Sequence, residues 1–408
     1  MININKIRAD FPILKQKING KDMIYLDNSA TTQKPQVVID SIVDFYSTMN
    51  CNVHRGVHFL GKQASDAYES VRKKVKDFIN ANKSEEIIFT SGTTESINLI
   101  ADSFGKLCIS EGDEIIISEM EHHSNIIPWQ MLCENKGAKL KIIPIDDNGS
   151  LIIDELNNLI SEKTKLISFT YVSNVLGTIN PVKKIIKIAH EKDIPVLIDG
   201  AQAIQHFQID VQDLDCDFFV FSGHKIYSET GLGVMYAKKK WLEIMPPYKY
   251  GGGMISKVSF EKTTFAELPF KFEAGTSNIS AVISLGKAID YINEIGIESI
   301  KEYEDELLNY AYDKISKLSG VTIYGKATER CGMISFNLEN INHYDAVMFL
   351  DKMGFALRSG THCAEPLMHH YGIKGNIRAS FALYNTKEEV DRLVEGLKKV
   401  QGMLLENE

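Results

Sequence analysis

Short apolar runs recur through the middle of the chain, at positions 87–90, 114–118, 139–144, 165–170, 195–199, 217–222 and 233–237. Between most of them lie stretches whose apolar residues fall at helical spacing, such as 65–80, 126–136 and 182–192. Compact β-rich runs alternating with helices predict a mostly parallel sheet of seven strands, covered on both faces. The last two runs are too close for a helical crossover, so their connection should be antiparallel.

Outside this region the pattern changes. Residues 1–20 read as a helix-and-turn arm broken at Pro12 and Gly20, and residues 23–26 as a first strand ended by Asp27, Asn28 and Ser29. Residues 246–278 show no clear period and are rich in Gly, Pro and Thr; such long irregular stretches are often functional or packed on a partner. Helical spacing returns at 281–295 and 298–318, and residues 321–408 read as a smaller α+β unit ending in a helix over 387–404. The expected organisation is an N-terminal arm (1–20), a large α/β unit (21–292) and a small C-terminal unit (293–408).

The composition is that of a folded protein: 44% hydrophobic and 24% charged residues in 408, enough to build sizeable cores. A net charge of −9 gives no basic footprint for nucleic acid. No run approaches the roughly 18 apolar residues of a membrane span, and the first ten residues lack the apolar core of a signal peptide. A cytoplasmic location with no membrane partner is expected. The six cysteines (51, 108, 133, 216, 331 and 363) are scattered without a C-x-x-C pair, which points to free thiols rather than a disulfide framework.

Three strand ends carry candidate chemistry. Thr90-Ser91-Gly92-Thr93-Thr94 follows a strand and opens a helix, so its amides and the helix N-terminus could hold a phosphate; a plain polar cap is the alternative. Asp199 ends a strand at the edge where ligands of open α/β sheets bind, although a cap or ion pair would also explain it. Lys225 lies 26 residues further on, in Ser222-Gly223-His224-Lys225, where a lysine with lowered pKa could form a Schiff base. A phosphate cradle, a strand-end carboxylate and a strand-end lysine are together what pyridoxal phosphate requires.

Two further segments matter. Arg358-Ser359-Gly360-Thr361-His362-Cys363 sets a thiol beside His and near Arg in a Gly-containing loop, where a thiolate could be favoured. The other reading is a loop cysteine or half a zinc site, and no second cysteine stands at ligand spacing. In Glu121-His122-His123, adjacent histidines point different ways, so one could serve a cofactor while His123 takes a structural or capping role. The pair His369-His370 reads as surface. Arginine is scarce, seven against 38 lysines, and Arg378 could grip a carboxylate or serve in an ion pair.

At the level of longer motifs the chain resembles the cysteine desulfurases of the SufS type, class-V members of the aspartate-aminotransferase fold (pyridoxal-phosphate fold type I). The resemblance runs from Tyr25-Leu26-Asp27-Asn28-Ser29-Ala30 to Tyr384-Asn385-Thr386-Lys387. It includes Val53-His54-Arg55-Gly56-Val57-His58, Met120-Glu121-His122-His123-Ser124-Asn125, Val172-Ser173-Asn174-Val175-Leu176-Gly177 and the Arg-x-Gly-x-His-Cys loop. It implies Lys225 as the Schiff-base lysine, Asp199 at the pyridine nitrogen, Gln202 at the ring oxygen, and His122 as a catalytic residue that stacks on the ring and assists proton transfer. Thr93, Thr94, Ser222 and His224 would hold the phosphate, and Thr276 would reach the phosphate of the other subunit of a homodimer. Asn174 and Arg378 would hold the substrate carboxylate, with Arg358 and His54 on the substrate side.

The implied reaction takes L-cysteine to L-alanine, leaves a persulfide on Cys363 and passes the sulfur to an acceptor protein of the SufE or SufU type for iron–sulfur cluster assembly. L-Selenocysteine is a second implied substrate, and no metal is implied. The chain departs from the pattern at Ser228-Glu229, where Gly-Pro is usual, at Ser277 for Pro, and at Thr361 for His. Relatives served by a zinc-containing acceptor tend to carry His just before the Asp matching Asp345; Tyr344 stands there, which favours the zinc-free type. Other pyridoxal-phosphate reactions, a non-catalytic scaffold and a zinc module are the rival readings; the Cys363 loop argues against the first, and retention of Lys225 and Cys363 against the second.

Overall fold

The computed structural model describes residues 2–405. Its centre is a seven-stranded sheet of β1 (Ile87–Thr90), β2 (Glu114–Ser118), β3 (Lys139–Ile143), β4 (Thr164–Thr170), β5 (Val196–Asp199), β6 (Phe218–Ser222) and β7 (Gly233–Ala237). The spatial order is β1-β7-β6-β5-β4-β2-β3. Only β7 runs against its neighbours, pairing antiparallel with both β1 and β6. The short β6–β7 spacing thus gives the antiparallel connection expected of it.

Apart from the partly exposed edge strand β3, the sheet is buried on both faces. Ile88, Ile115, Ile117, Leu166, Leu197 and Val220 point into one apolar cluster. Their neighbours Ile87, Phe89, Ile116, Ile167, Ile198 and Phe221 point into the other. Alternate residues of a strand face opposite sides, so a strand buried on both faces reads as one continuous apolar run.

The C-terminal part has its own four-stranded antiparallel sheet of β8 (Val321–Tyr324), β9 (Met333–Leu338), β10 (Arg358–Gly360) and β11 (Asn376–Ser380), in the order β8-β9-β11-β10. Ile334, Phe336, Leu338 and Ile377 pack there against Leu307 and Ile315 of the helix Ile297–Ser316 and Leu393 and Leu397 of the helix Lys387–Leu405. Ile24 and Leu26 join this cluster, and Ile24–Tyr25 pairs in parallel with Phe355–Ala356. The N-terminal arm folds as the helix Ile4–Ala9 and a 3-10 turn, and Arg8 reaches Tyr384 O and the Glu389 carboxylate (2.8 Å).

Three expectations are corrected. The stretch 246–278 is not wholly irregular: Ile255–Val258 and Thr263–Phe265 form a hairpin. Its residues are nearly all exposed, so no alternation of burial marked it. The helix expected from residue 65 runs Phe59–Phe78, capped by His58 Nδ1, which accepts from Gly61 N (3.2 Å). Its first turn carries the exposed Phe59 and Leu60 and a glycine packed on Gly56, which hides the period. The helix Gln36–Asp44 was not anticipated.

Candidate active site

Because every strand but β7 runs the same way, Thr90, Thr170, Asp199 and Ser222 all arrive at one edge of the sheet. A cavity of about 310 Å³ opens there, between that edge and the loop carrying Cys363. Thr93, Thr94, His122, Asn174, Asp199, Gln202, Ser222, His224, Lys225, Arg358, Cys363 and Arg378 all line it. Thr276 and His54 do not. They share a separate cavity with Asn52, Gly252 and Gly253, where Asn52 Nδ2 donates weakly to Thr276 Oγ1 (3.5 Å).

At one end the helix Thr93–Cys108 begins. Thr93 N donates to Ser222 Oγ (2.9 Å), which also meets Thr93 Oγ1 (2.8 Å), and Thr94 Oγ1 lies 2.7 Å from Ser124 Oγ. This cluster of hydroxyls sits over the positive end of a sixteen-residue helix, a natural place for an anion. The turn can lie against β7 because residue 233 is glycine: a Cβ there would fall 2.5 Å from Gly92 Cα.

In the middle, the buried Asp199 accepts from Ala201 N (2.9 Å) and forms no ion pair among the described residues. Burial pushes its carboxyl pKa up, opposed by the Ala201 amide and by Lys225. Lys225 closes the 3-10 turn Gly223–Lys225. Among the described residues its amine has no hydrogen-bond partner, and desolvation lowers its pKa to about 8 against the pull of Asp199. The preceding peptide is held firmly: His224 O accepts from Thr32 N (3.1 Å), Thr31 Oγ1 (3.1 Å), Thr32 Oγ1 (3.0 Å) and Lys34 Nζ (3.0 Å). Burial, reinforced by Lys225, holds His122 neutral with a pKa of about 3, and its Nδ1 accepts from Ser124 N (3.1 Å).

The thiol side is built from the smaller sheet. Cys363 is the one exposed cysteine of the six. Its neighbour His362 turns inward, Nε2 on Asn376 Oδ1 (2.7 Å), and burial lowers its pKa to about 3. A neutral imidazole lends the thiol no positive charge, contrary to the expectation from adjacency. The cations that face Cys363 are Lys225, Arg358 and Arg378. Arg358 grips Asp27 with Nε and Nη2 (3.0 and 2.8 Å), and Arg378 Nη2 reaches the same carboxylate (3.2 Å). Arg378 Nη1 donates to Asn174 O (2.7 Å), while its buried Nε has no partner. Of the two alternatives for Arg378, the ion pair is present, and only Nε is left unengaged.

The donor and acceptor set fits pyridoxal phosphate. Gln202 Oε1 and His224 Nδ1 are buried without partners, Asp199 lacks a cation, and an anion cradle and an amine stand in the same cavity. A ligand with a phosphate, a protonated ring nitrogen and an aldehyde answers the cradle, Asp199 and the amine, and Gln202 Nε2, which gives one hydrogen to Ser29 O (2.9 Å), keeps a second for a ring oxygen.

Asp27 is the residue that sequence reasoning passed over. Two arginines in one short segment needed an acid, and the strand-ending Asp was the available signal. Ser29 and Ser124, which the sequence showed only as members of longer motifs, and Thr170, which ends an apolar run, also line the cavity. His123 takes the structural role open to it, bonding to the Cys363 loop. His370 is half-buried against Glu119 (3.2 Å) rather than free at the surface. Of the departures, Ser228 Oγ meets Ser284 Oγ (2.8 Å) and Glu229 accepts from Ser280 Oγ (3.3 Å), so this loop is anchored to the helix Ile279–Ile295.

The class-V aminotransferase family matches residues 24–393. A cysteine desulfurase of Salmonella agona is 51% identical over 402 residues, covering 98% of this chain and 99% of that protein. The crystal structure of the Escherichia coli cysteine desulfurase CsdA superposes with a TM-score of 0.91 at 37% identity, over 99% of this chain and all of that one. The apo cysteine desulfurase of Thermococcus onnurineus NA1 superposes with a TM-score of 0.93, also at 37% identity, over 98% and 99% of the two chains.

Proposed function

The chain belongs to the class-V aminotransferases and is a pyridoxal-phosphate-dependent cysteine desulfurase, and from that premise we propose that it releases the sulfur of L-cysteine as a persulfide on Cys363, for delivery to an acceptor protein. The observation that carries this reading is the exposed Cys363 on the wall of the cavity that also holds Lys225 and Asp199.

Thr93, Thr94, Ser222 and His224 would hold the phosphate, Asp199 the ring nitrogen, Gln202 the ring oxygen and His122 the ring face. The cofactor, when bound, supplies the electron sink that acidifies the substrate Cα–H and eases cleavage at Cβ. Arg378, whose Nε is unengaged, would take the substrate carboxylate with Asn174, while Arg358 fixes the thiol loop through Asp27. Lys225, neutral for much of its population above about pH 8, is placed to take the proton at Cα and return it. The Cys363 thiolate attacks the substrate sulfur: the new S–S bond forms, Cβ–S breaks with its electron pair going to carbon, and Cβ gains a proton. The three-carbon product is L-alanine, and the transferred sulfur stays on Cys363. L-Selenocysteine would follow the same course, since selenium leaves more readily.

The acceptor is of the zinc-free, SufE-like type in this reading, serving iron–sulfur cluster assembly. What supports this is the exposed Tyr344 in the place where a histidine would stand, with the neighbouring His343 Nδ1 on Ser359 Oγ (2.6 Å). The active form is a homodimer in which His54 and Thr276 serve the partner's cavity. Their distance from their own cavity and the fully exposed Val57 nearby support this. The division into an arm (1–20), a cofactor-binding unit (21–292) and a smaller unit (293–408) belongs to the same proposal.

The test is Cys363→Ala. Cofactor content should be unchanged, while alanine release from L-cysteine falls by about a hundredfold or more, as expected when a nucleophile is removed. Alkylation and mass measurement of the wild type should find the extra sulfur on the peptide containing Cys363. Undiminished alanine release by the variant would refute the thiol's role.

A further inference from the structure

We propose that the imidazole of His123 is a positioning residue for sulfur transfer, holding the loop that carries Cys363 by accepting the Glu365 amide. The inference rests on the reading of Cys363 as the group that takes the sulfur.

The loop leaves β10 at Gly360 and passes through two successive non-glycine residues in the left-handed region, His362 (φ 54°) and Cys363 (φ 56°). Such residues are strained, and the conformation persists only where its surroundings impose it. The His362 ring is fixed on Asn376 Oδ1 (2.7 Å) and Ala364 N donates to Thr361 O (3.0 Å); the carbonyls and the amide that follow are held from outside the loop. His362 O accepts from Asn174 Nδ2 (2.7 Å), and Cys363 O accepts from His123 N (2.8 Å). Glu365 N, the first amide of the helix Glu365–His370, donates to His123 Nε2 (3.2 Å).

His123 therefore holds the loop twice just after the thiol, through its backbone at Cys363 O and through its ring at Glu365 N. The backbone bond survives any substitution; the ring bond does not. First-turn amides of a helix have no partner within the helix, so without the imidazole Glu365 N turns to water and the loop is freed on its C-terminal side. The Glu365 carboxylate lies 3.8 Å from the same Nε2. His123 follows His122, which lines the cofactor cavity, so the thiol loop is tied to the residue adjoining the cavity wall. His123 is not itself among the residues lining that cavity, and it holds no reacting atom. Its contribution is the approach of the Cys363 sulfur, and displacement of a reacting group by about 1 Å can cost up to a hundredfold in rate.

The experiment uses the cofactor-loaded enzyme in single turnovers with L-cysteine. Persulfide on Cys363 is read by alkylation and mass, and exchange of the Cα hydrogen of L-alanine with deuterated solvent is read separately. The exchange reports on the cofactor and Lys225 without using the thiol. In His123→Ala, persulfide formation should slow by about tenfold or more while exchange stays within about twofold. In His123→Gln, whose Oε1 can stand near the place of Nε2, the rate should return to within about threefold of wild type. Wild-type persulfide formation by His123→Ala would overturn the proposal. So would parallel loss of exchange and persulfide, or a Gln variant as slow as the Ala variant. Cys363→Ala is run alongside: persulfide found elsewhere on that variant overturns the reading of Cys363 itself, an outcome separate from any result with His123.

Discussion

Lys225 is a buried amine facing a buried carboxylate with no direct bond to it, and its behaviour follows from that separation. Desolvation outweighs the attraction of Asp199 and brings its pKa down to about 8. Only the neutral amine can attack an aldehyde. Loading of the apoprotein with pyridoxal phosphate should therefore accelerate about tenfold per pH unit below pH 8 and level off above it, the sign expected of a base that is charged at low pH. Stopped-flow absorbance across pH 6–9 checks this; a rate that keeps climbing toward the pKa of an exposed lysine would show that burial does not govern the amine. The neighbouring imidazoles, His122 near 3 and His224 near 4, stay neutral throughout that range and should not add inflections.

At the scale of elements, the site depends on how closely strand, turn and helix meet. β7 approaches the turn Thr90–Thr93 so tightly that a methyl group at residue 233 would lie 2.5 Å from both Gly92 Cα and Thr90 Oγ1. Gly233→Ala should push this turn away from β6 and disturb the bond from Thr93 N to Ser222 Oγ. We expect cofactor dissociation to quicken by about tenfold, the loss of roughly one hydrogen bond to a charged group. The thiol loop, which extends from the smaller sheet, should keep its alkylation rate. Dilution of loaded protein followed by absorbance measures the first, and iodoacetamide kinetics the second.

Over the whole molecule, the segment Ile24–Asn28 joins the smaller sheet to the cavity floor. Ile24 and Leu26 pack in the smaller core, Asp27 bridges to Ser380, and Asn28 Nδ2 donates to Ser380 O (2.6 Å) and Asn385 Oδ1 (3.0 Å). The Asp27 carboxylate faces two guanidiniums, one of them on the buried Arg378. Burial depresses the pKa of Arg378 to about 10, and Asp27 is the first group to oppose that. Asp27→Asn leaves a buried cation without its counter-charge, which should destabilise the fold by about 3 kcal/mol. Calorimetry should show the lowered Tm, and KM for L-cysteine should rise more than cofactor affinity falls. An unchanged Tm would mean that Asp27 and Arg378 do not act as a pair.

Most strands of the sheet were legible because strands buried on both faces read as compact apolar runs, and helical crossovers separate the parallel ones; the edge strand β3, with Lys139 and Lys141, and the antiparallel β7 are the exceptions. The cavity's principal groups were legible because carboxyl ends of parallel strands share an edge, so Asp199, Ser222 and Lys225 had to converge wherever the sheet formed. Contacts between distant parts of the chain were decided only in three dimensions. His362 stands beside Cys363 in sequence yet turns away to Asn376, while His123 stands 240 positions away and holds the thiol loop. Asp27 meets Arg358 and Arg378 only because the N-terminal segment adds to the smaller core. Periodicity and strand ends record local geometry, which a chain carries with it. The direction of a side chain in a loop, and the partner that satisfies it, depend on which surfaces fold brings together, and no local pattern encodes that.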